Sequence, residues 1–235
     1  MAAESPDNSI GVVIPTLNEE KVIAQNLSAL LRDPAITKIV VADGGSTDRT
    51  QAEVSALAEQ APEQVSLITS APGRGTQMNA GARQLDTEWL LFHHADSLLP
   101  DEAGELIASL SPEIAWGGFS HRFAPNNWKL SIVSALHNFR CRTTGVVYGD
   151  QSMFVRRRFF ADAGGFDEFG LEDLQFSDTA LELAPSHLLP AHVQTDSRKF
   201  TQIGEFKALL QVLSIIRRHE RQRKLGHESF FRDYR

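Results

Sequence analysis

Several polar segments of this chain follow short apolar runs and contain the residues that could do chemistry. His94 and Asp96 come shortly after the apolar run at 89–92, where a metal or a phosphate would sit if that run is a strand of a parallel sheet. Asp96 can hold a divalent metal through oxygen. Asp43 can accept a hydrogen bond from a nucleobase imide or a ribose hydroxyl, and Arg74 is a cation suited to a diphosphate. Together these residues predict a pocket for a nucleoside diphosphate.

Each of these residues also has a structural interpretation that involves no ligand. Asp43 and Asp48 could cap helices, and the Asp-Gly-Gly-Ser sequence at 43–46 is ordinary turn chemistry when it stands alone. Arg74 could be a solvated surface charge, and His93 could be a hydrogen-bonded packing residue. The functional interpretation therefore depends on the convergence of several polar strand ends and not on a single motif.

The elements that must position these residues alternate between strands and helices through the first half of the chain. Four strands are expected, at 10–14, 38–42, 65–69 and 89–92. Three helices are expected between and beside them, at 20–32, 50–60 and 76–85. Pro15 is expected to end the first strand, and Thr50 with Glu53 resembles a capping box. This series predicts a parallel sheet with right-handed crossovers, in which the polar strand ends share one edge.

The second half of the chain is less regular. Helices are expected at 102–110, 128–139 and 172–183, and strands at 117–123 and 153–155. Leu130, Val133 and Leu136 are expected on one face of the second of these helices. A further amphipathic helix with a basic end is expected at 205–225. It could pack on its own domain, take part in a homodimer, or lie on an anionic membrane.

Composition and missing motifs exclude several classes of protein. A formal net charge of −7 over 235 residues argues against a nucleic-acid binder. The chain lacks both the G-x-G-x-x-G and the G-x-x-x-x-G-K-[ST] signatures of nucleotide sites, and Cys141 is its only cysteine, which disfavours structural zinc. With no signal-like start and no long apolar run, the sequence predicts a cytoplasmic protein, with peripheral contact to the inner membrane face left open.

Two early segments resemble a known family. Residues 12–20 and 43–50 are similar to the opening of family 2 glycosyltransferases of the GT-A fold. Residues 164–168, followed by Glu172 and Asp173, resemble that family's acceptor-side segment, so the resemblance spans roughly residues 10 to 180. Residues 73–82 and 148–151, with the His94-Ala95-Asp96 segment, look closer to one bacterial subgroup, often labelled a radical-SAM/selenodomain-associated transferase.

The resemblance implies a fold, a domain plan and a reaction. The fold is α/β of GT-A type, with a mostly parallel central sheet flanked by helices. A flexible N-terminus would cover 1–8, and a catalytic domain 9–203 would divide into a nucleotide half to about 100 and an acceptor half beyond it. An amphipathic basic helix would occupy 204–235. The reaction is the metal-dependent, inverting transfer of a sugar from a nucleotide-diphosphate donor, typically a UDP-sugar, to an unidentified hydroxyl acceptor.

The resemblance also implies roles by position. The catalytic base would be Asp173. The residues that bind the nucleotide would be Pro15, Thr16, Asn18, Glu19, Asp43, Arg74 and Asn79. The acceptor pocket would be bordered by Gly149, Gln151 and Glu172.

The implied metal site departs from the family pattern. Asp96 matches the last position of the family's D-x-D motif, but His94 stands where the first aspartate is expected. One carboxylate is a weaker Mg²⁺ site, and an imidazole ligand shifts the preference towards Mn²⁺. His192 could complete the ligand set.

Two other functions stay open. A nucleotidyltransferase that makes nucleotide-sugars would share the sheet and the metal chemistry, although Pro15, Thr16 and Asn18 do not form the glycine-rich loop expected there. A non-catalytic nucleotide-sugar-binding protein is the second alternative, which the histidine at position 94 supports and the intact Glu172-Asp173 pair opposes.

Overall fold

A computed structural model describes residues 8–168 and 171–197, and within them the chain forms eight strands and seven α-helices. The strands are β1 (Ile10–Thr16), β2 (Ile36–Asp43), β3 (Val65–Thr69), β4 (Trp89–Phe92), β5 (Ser97–Leu98), β6 (Trp116–Ala124), β7 (Met153–Arg156) and β8 (His187–Asp196). The helices are α1 (Ile23–Leu30), α2 (Thr50–Gln60), α3 (Arg74–Ala82), α4 (Ala103–Ala108), α5 (Trp128–Thr144), α6 (Arg157–Asp162) and α7 (Glu172–Leu183).

One sheet in the order β3-β2-β1-β4-β7-β6-β8-β5 forms the centre of the fold. The first four strands in this order are parallel, as the sequence predicts. Val12 and Val13 are both fully buried but belong to different apolar clusters, one on each face of the sheet. A strand buried on both faces needs the continuous apolar run that made β1 and β4 recognisable.

The second half of the sheet is mixed, so that four of the seven strand pairings in the described residues are parallel and three are antiparallel. β7 lies antiparallel to both β4 and β6, and β5 lies antiparallel to β8. β6 and β8 are parallel. The short apolar runs of this half fix the presence of strands but carry no information about direction, which depends on the connections between them.

Two local expectations in the first half are wrong. β1 continues through Pro15, which lies opposite Ala42 of β2, to Thr16. The backbone nitrogen of Pro15 points to the β4 side, where pairing has already ended at Phe92, so no hydrogen bond is lost. Thr50 does not open a capping box: the residue before α2 is Arg49, and Asp48 accepts hydrogen bonds from both the backbone nitrogen and the hydroxyl of Thr50.

Four elements have no counterpart in the expectations: β5, α6, β8 and a 3-10 turn at Gly149–Gln151. Pro190 makes the sequence of β8 atypical of a strand. The structure accommodates it in a bulge, because Phe119 pairs with Leu189 while the next residue of β6, Ser120, pairs with His192. α5 also differs from its expected packing, since Leu130 is buried whereas Leu136 is 59% exposed.

The amphipathic helix expected at 205–225 lies outside the described residues. Within the described part of the chain, no helix is both long enough and apolar enough to span a membrane.

Candidate active site

The ends of β1 and β2 meet around the buried carboxylate of Asp43. Its oxygens accept hydrogen bonds from the hydroxyl of Thr16 at 3.1 Å, from the backbone nitrogens of Gly45 and Ser46 at 3.0 and 2.9 Å, and from the Gln51 amide at 2.7 Å. Burial alone would raise the pKa of Asp43, but the hydrogen bonds from Ser46, from the Gln51 amide and from the Gly45 backbone lower it. Asp43 therefore orders the loop after β2, and its direct contact with a base stays a prediction.

The loop after β1 is fastened to the loop after β2. Asn18 adopts a left-handed backbone conformation with a φ of 59°, and its side-chain oxygen accepts a hydrogen bond from the backbone nitrogen of Thr47 at 2.8 Å. The backbone nitrogen of Glu19 donates to the hydroxyl of Thr50 at 2.8 Å. With Pro15 partly buried at the end of β1, the structure brings together the residues predicted to bind the nucleoside.

The N-terminal part of α3 packs against the same strand ends. Gln77, which the sequence analysis did not single out, donates through its buried amide to the carbonyls of Thr16 and Ala42 at 2.8 and 2.7 Å. Arg74 begins the helix, is 61% exposed, and lies 3.6 Å from the Glu172 carboxylate. A cation is therefore placed beside the strand ends, as the sequence predicts.

Asn79 has a different contact from the one implied for it. Its Nδ2 donates to the carbonyl of Phe166 at 2.7 Å, and its Oδ1 accepts from the backbone nitrogen of the same residue at 3.0 Å. Both ends of the amide therefore tie α3 to the turn before α7, and a contact between Asn79 and a nucleotide stays a prediction.

Gly149 lies against two other predicted site residues, Asp173 and His94. Its backbone nitrogen donates to Oδ2 of Asp173 at 2.8 Å, while Oδ1 of Asp173 accepts from the backbone nitrogen of Leu174 at 2.8 Å. A Cβ added at Gly149 would lie 2.8 Å from Nε2 of His94 and 3.5 Å from Oδ2 of Asp173. The expected base and the histidine of the expected metal site thus lie against the same glycine.

Electrostatics keep His94 neutral at neutral pH. Burial lowers the pKa of His94 and the nearby charge of Arg74 lowers it further, against the opposing effect of Asp96 and other carboxylates. An imidazole that stays unprotonated can act as a metal ligand or accept a hydrogen bond.

The pKa of Glu172 is raised by burial and by the neighbouring Asp173 carboxylate, while the charge of Arg74 opposes that rise.

The loop that carries His94 and Asp96 is held by Asn26 of α1. Its Nδ2 donates to the carbonyl of Ser97 at 2.6 Å and lies within 3.3 Å of the carbonyls of His94 and Ala95. His93 is fully buried and bonded to Ser97 as well, and burial lowers its pKa to about 3. The contacts of His93 are those of a hydrogen-bonded packing residue.

The sequence did not reveal the role of Asn26, because an asparagine within a helical pattern gives no signal that it contacts a distant loop.

Asp96 and His94 could supply two ligands of a metal site, but the expected third ligand, His192, does not complete it. Within residues 8–168 and 171–197, no group of three or more His, Cys, Asp or Glu side chains is arranged to hold a metal ion. An Asp96 oxygen and the neutral imidazole of His94 suit a divalent ion whose remaining ligands are phosphates and water. His192 lies on β8 opposite Ser120. Its pKa is lowered by burial and by Arg122 and Arg142, so its surroundings are cationic.

Gln151, predicted to border the acceptor pocket, holds the turn that contains Gly149. It is fully buried, donates to the carbonyl of Phe119 at 3.0 Å, and accepts from the backbone nitrogen of Tyr148 at 3.0 Å and from the Cys141 thiol. It therefore fixes the 3-10 turn Gly149–Gln151, and any direct contact with an acceptor stays a prediction.

Beside this turn lies a group of ionisable side chains that sequence reasoning missed. Oδ1 of Asp150 is 3.6 Å from Nε2 of His137, and Oδ2 is 3.8 Å from Nε2 of His121. The three residues come from the turn, from α5 and from β6, and no sequence spacing connects them.

Comparisons with known proteins agree with this geometry. A family model described as "Glycosyl transferase family 2" matches residues 11–163. A curated relative, the uncharacterized glycosyltransferase YaiP of Escherichia coli, is 27% identical over 105 residues, which are 43% of this chain and 26% of that protein. The chain therefore matches only about a quarter of that relative's length.

Solved structures share the fold at low sequence identity. The mannosyltransferase PcManGT from Pyrobaculum calidifontis, in complex with GDP-Man and Mn²⁺, has a TM-score of 0.64 and 21% identity, and the match covers 81% of this chain and 58% of that one. TarS 1-349 of S. aureus in complex with UDP-GlcNAc has a TM-score of 0.63 and 20% identity, with 81% and 59% covered. The chain thus spans less than two thirds of either protein, and the likeness establishes a GT-A fold.

Proposed function

Because the chain belongs to glycosyltransferase family 2, we propose that it is an inverting transferase that moves a sugar from a nucleoside diphosphate donor, a UDP-sugar, to an acceptor hydroxyl. The observation that carries this proposal is the position of Asp173 against Gly149, with His94 on the same glycine. The arrangement puts a carboxylate from the acceptor half beside the end of β4 from the nucleotide half. A transfer reaction needs these two halves to meet around one bond.

The donor is proposed to bind at the ends of β1 and β2. The hydrogen-bonded loops that carry Thr16, Asn18 and Asp43 form a preorganised surface on which the nucleoside could bind. Arg74 is exposed at the start of α3 and lies 3.6 Å from Glu172, so that it can exchange this ion pair for the diphosphate. A guanidinium suits this role because it stays charged and donates several hydrogen bonds to phosphate oxygens.

Asp173 is proposed to act as the general base. As the acceptor oxygen attacks the anomeric carbon, Asp173 takes the hydroxyl proton, and the bond between that carbon and the diphosphate oxygen breaks with its electron pair on the diphosphate. The neighbouring carboxylate of Glu172 is directed to Arg74. The proposed reaction uses one carboxylate as base and no carboxylate as nucleophile, so it passes through a single displacement and inversion is expected.

A divalent ion, Mn²⁺ or Mg²⁺, bound by Asp96 with His94, would neutralise charge on the departing diphosphate. The neutral imidazole favours Mn²⁺ over Mg²⁺. PcManGT was solved with GDP-Man and Mn²⁺, and TarS was solved with UDP-GlcNAc. These ligands support a nucleotide-sugar donor and a metal for this chain, while they differ in the base.

The decisive experiment compares Asp173→Asn with the wild type on a panel of nucleotide-sugars. Donor turnover is followed as release of the nucleoside diphosphate, with a bacterial small-molecule and lipid extract as the source of acceptor. We expect Asp173→Asn to bind the donor normally and to lose activity by about 10²–10⁴-fold, the usual contribution of a general base. Glu172→Gln is the matched control and should keep much more of the activity.

Near-normal turnover by Asp173→Asn would refute the assignment of the base. A product with the same anomeric configuration as the donor would refute inversion, and release of pyrophosphate in place of the nucleoside diphosphate would indicate a nucleotidyltransferase.

A further inference from the structure

The outward face of α5 carries a row of large apolar side chains. Trp128, Ile132, Leu136 and Phe139 are 71%, 51%, 59% and 66% exposed. Spacings of three and four residues place all four on one stripe, because an α-helix turns by about 100° per residue. A contiguous apolar stripe on the surface of a protein marks an interaction site more often than a packing accident.

The inward face of α5 is the more polar one, and hydrogen bonds hold it there. The buried residues of the helix are Leu130, Ser134, Asn138 and Cys141. The side chain of Asn138 accepts a hydrogen bond from the backbone nitrogen of His121 at 2.8 Å and donates to the carbonyl of the same residue at 3.0 Å. Rotating the helix to hide the apolar stripe would break both bonds and leave buried polar groups unpaired.

The charge of α5 is opposite to that of the whole chain. The helix lies wholly within the described residues and contains Lys129, Arg140 and Arg142 but no aspartate or glutamate, whereas the chain has a formal net charge of −7. Lys129 and Arg142 are exposed. At about 100° per residue, these two cations fall on opposite flanks of the apolar stripe.

We propose that this stripe, formed by Trp128, Ile132, Leu136 and Phe139, docks on an anionic phospholipid surface. A helix with large apolar side chains on one face and cations beside them lies in the headgroup region, where both parts are satisfied. Charge argues against two other occupants. A second copy, paired through the same stripe, would bring two cationic flanks together, and the chain after residue 198 is itself basic between Arg217 and Lys224.

The acceptor side of the proposed site would lie close to the C-terminal end of the docked helix. The helix ends at Thr144, and the turn that contacts Asp173 begins five residues later at Gly149. The proposal concerns where the protein binds and does not depend on the proposed transfer reaction.

The test uses the full chain and vesicles of phosphatidylcholine, either alone or mixed with anionic phosphatidylglycerol. After sedimentation, we expect the wild type to partition onto the anionic vesicles and much less onto the neutral ones. The double variant Ile132→Ser/Phe139→Ser should lower the partition coefficient at least about tenfold, because two apolar side chains no longer leave water. Lys129→Gln/Arg142→Gln should lower it about fivefold or more and weaken its salt dependence.

Leu183→Ser is the matched control, since Leu183 is 56% exposed on α7, away from the stripe, and its replacement should leave vesicle binding unchanged. Absence of binding to anionic vesicles, or unchanged binding by Ile132→Ser/Phe139→Ser, would overturn the proposal. A wild-type dimer that dissociates in Ile132→Ser/Phe139→Ser would also overturn it, because the stripe would then bind a second copy. Vesicle binding that appears only after deletion of residues 198–235 would overturn it too, because the stripe would then be covered by that segment. Vesicle binding is measured without donor, so its failure leaves the proposed reaction untouched.

Discussion

At the scale of single residues, Gly149 sets the spacing of the site. It is not held in a left-handed conformation, so the reason for glycine here is space: a Cβ would lie 2.8 Å from Nε2 of His94. At the same time its backbone nitrogen binds Asp173. The smallest residue therefore permits the close approach of Asp173, the proposed base, and His94, which belong to opposite halves of the fold.

Gly149→Ala should impair turnover far more than donor binding. The added methyl group displaces His94 or the turn itself, and a displacement of about 1 Å at a reacting centre can cost about 10²-fold in rate. The nucleoside is proposed to bind at the ends of β1 and β2, so donor affinity should change little. Turnover and the donor-induced shift in melting temperature measure the two effects separately. Equal losses of affinity and rate would contradict this separation.

His137 and Asp150 make stability dependent on pH. Burial would lower the pKa of His137, but the charge of Asp150 and contacts with Asp150 and Cys141 raise it to about 10. Burial would raise the pKa of Asp150, but His137 and His121 lower it. Because the folded-state pKa of His137 lies above its ordinary value of 6.5, its stabilising effect is complete below pH 6.5 and is lost as the pH rises towards 10.

Comparing the wild type with His137→Gln tests this pH dependence. At pH 6 the variant should unfold with a free energy about 2 kcal/mol lower, less than for a fully buried pair because the Asp150 side chain is 37% exposed. The difference should shrink steadily between pH 6.5 and pH 10. Urea unfolding at several pH values gives the difference directly, with His187→Gln, at the start of β8, as a control. A difference that does not vary over this range would show that the pair is not charged as described.

At the scale of elements, the sequence predicts those whose pattern is local. The bounds of β3, β4 and α7 are confirmed to the residue, because each is specified by a local run of residues. β8 was missed because Pro190 lies in a bulge that only its partner β6 explains. α5 was predicted with the wrong inward face because its orientation depends on the hydrogen bonds of Asn138 and not on its apolar side chains.

The contact between the loop after β4 and α1 is seen only in the structure, and it leads to a prediction about stability. Asn26→Ala removes the amide that donates to the carbonyl of Ser97 and lies within 3.3 Å of the carbonyls of His94 and Ala95, so the free energy of unfolding should fall by about 2–3 kcal/mol. Ser28→Ala, on the exposed side of the same helix, should change it by less than about 0.5 kcal/mol. Chemical denaturation of both variants provides the measurement. If the two variants are equally stable, the loop is held by something other than Asn26.

At the scale of the whole molecule, the two halves of the sheet differ in how far the sequence specifies their part of the site. The polar ends of β1, β2 and β4 were expected to converge because parallel strands share an edge, and the structure places them so. The proposed acceptor side is assembled from the turn at Gly149, from the start of α7 and from α5. The family resemblance points to Asp173 and Gly149 there. The group formed by His121, His137 and Asp150 was not predicted, because its members are far apart in sequence and no motif connects them.

A nucleotide-sugar that binds across both halves should stabilise the whole domain by mass action. At a donor concentration about 100 times its dissociation constant, the gain is about 2.7 kcal/mol, which for a chain of this size corresponds to a rise of about 5–10 °C in melting temperature. We expect the rise to be largest with a UDP-sugar and Mn²⁺, smaller with Mg²⁺, and smallest with EDTA. Asp96→Asn should abolish the difference between metals while retaining the metal-independent part, since the loops after β1 and β2 are intact. If Asp96→Asn keeps the full metal-dependent shift, Asp96 is not a ligand of the metal. If no nucleotide-sugar raises the melting temperature, the proposal of a nucleotide-sugar donor is wrong.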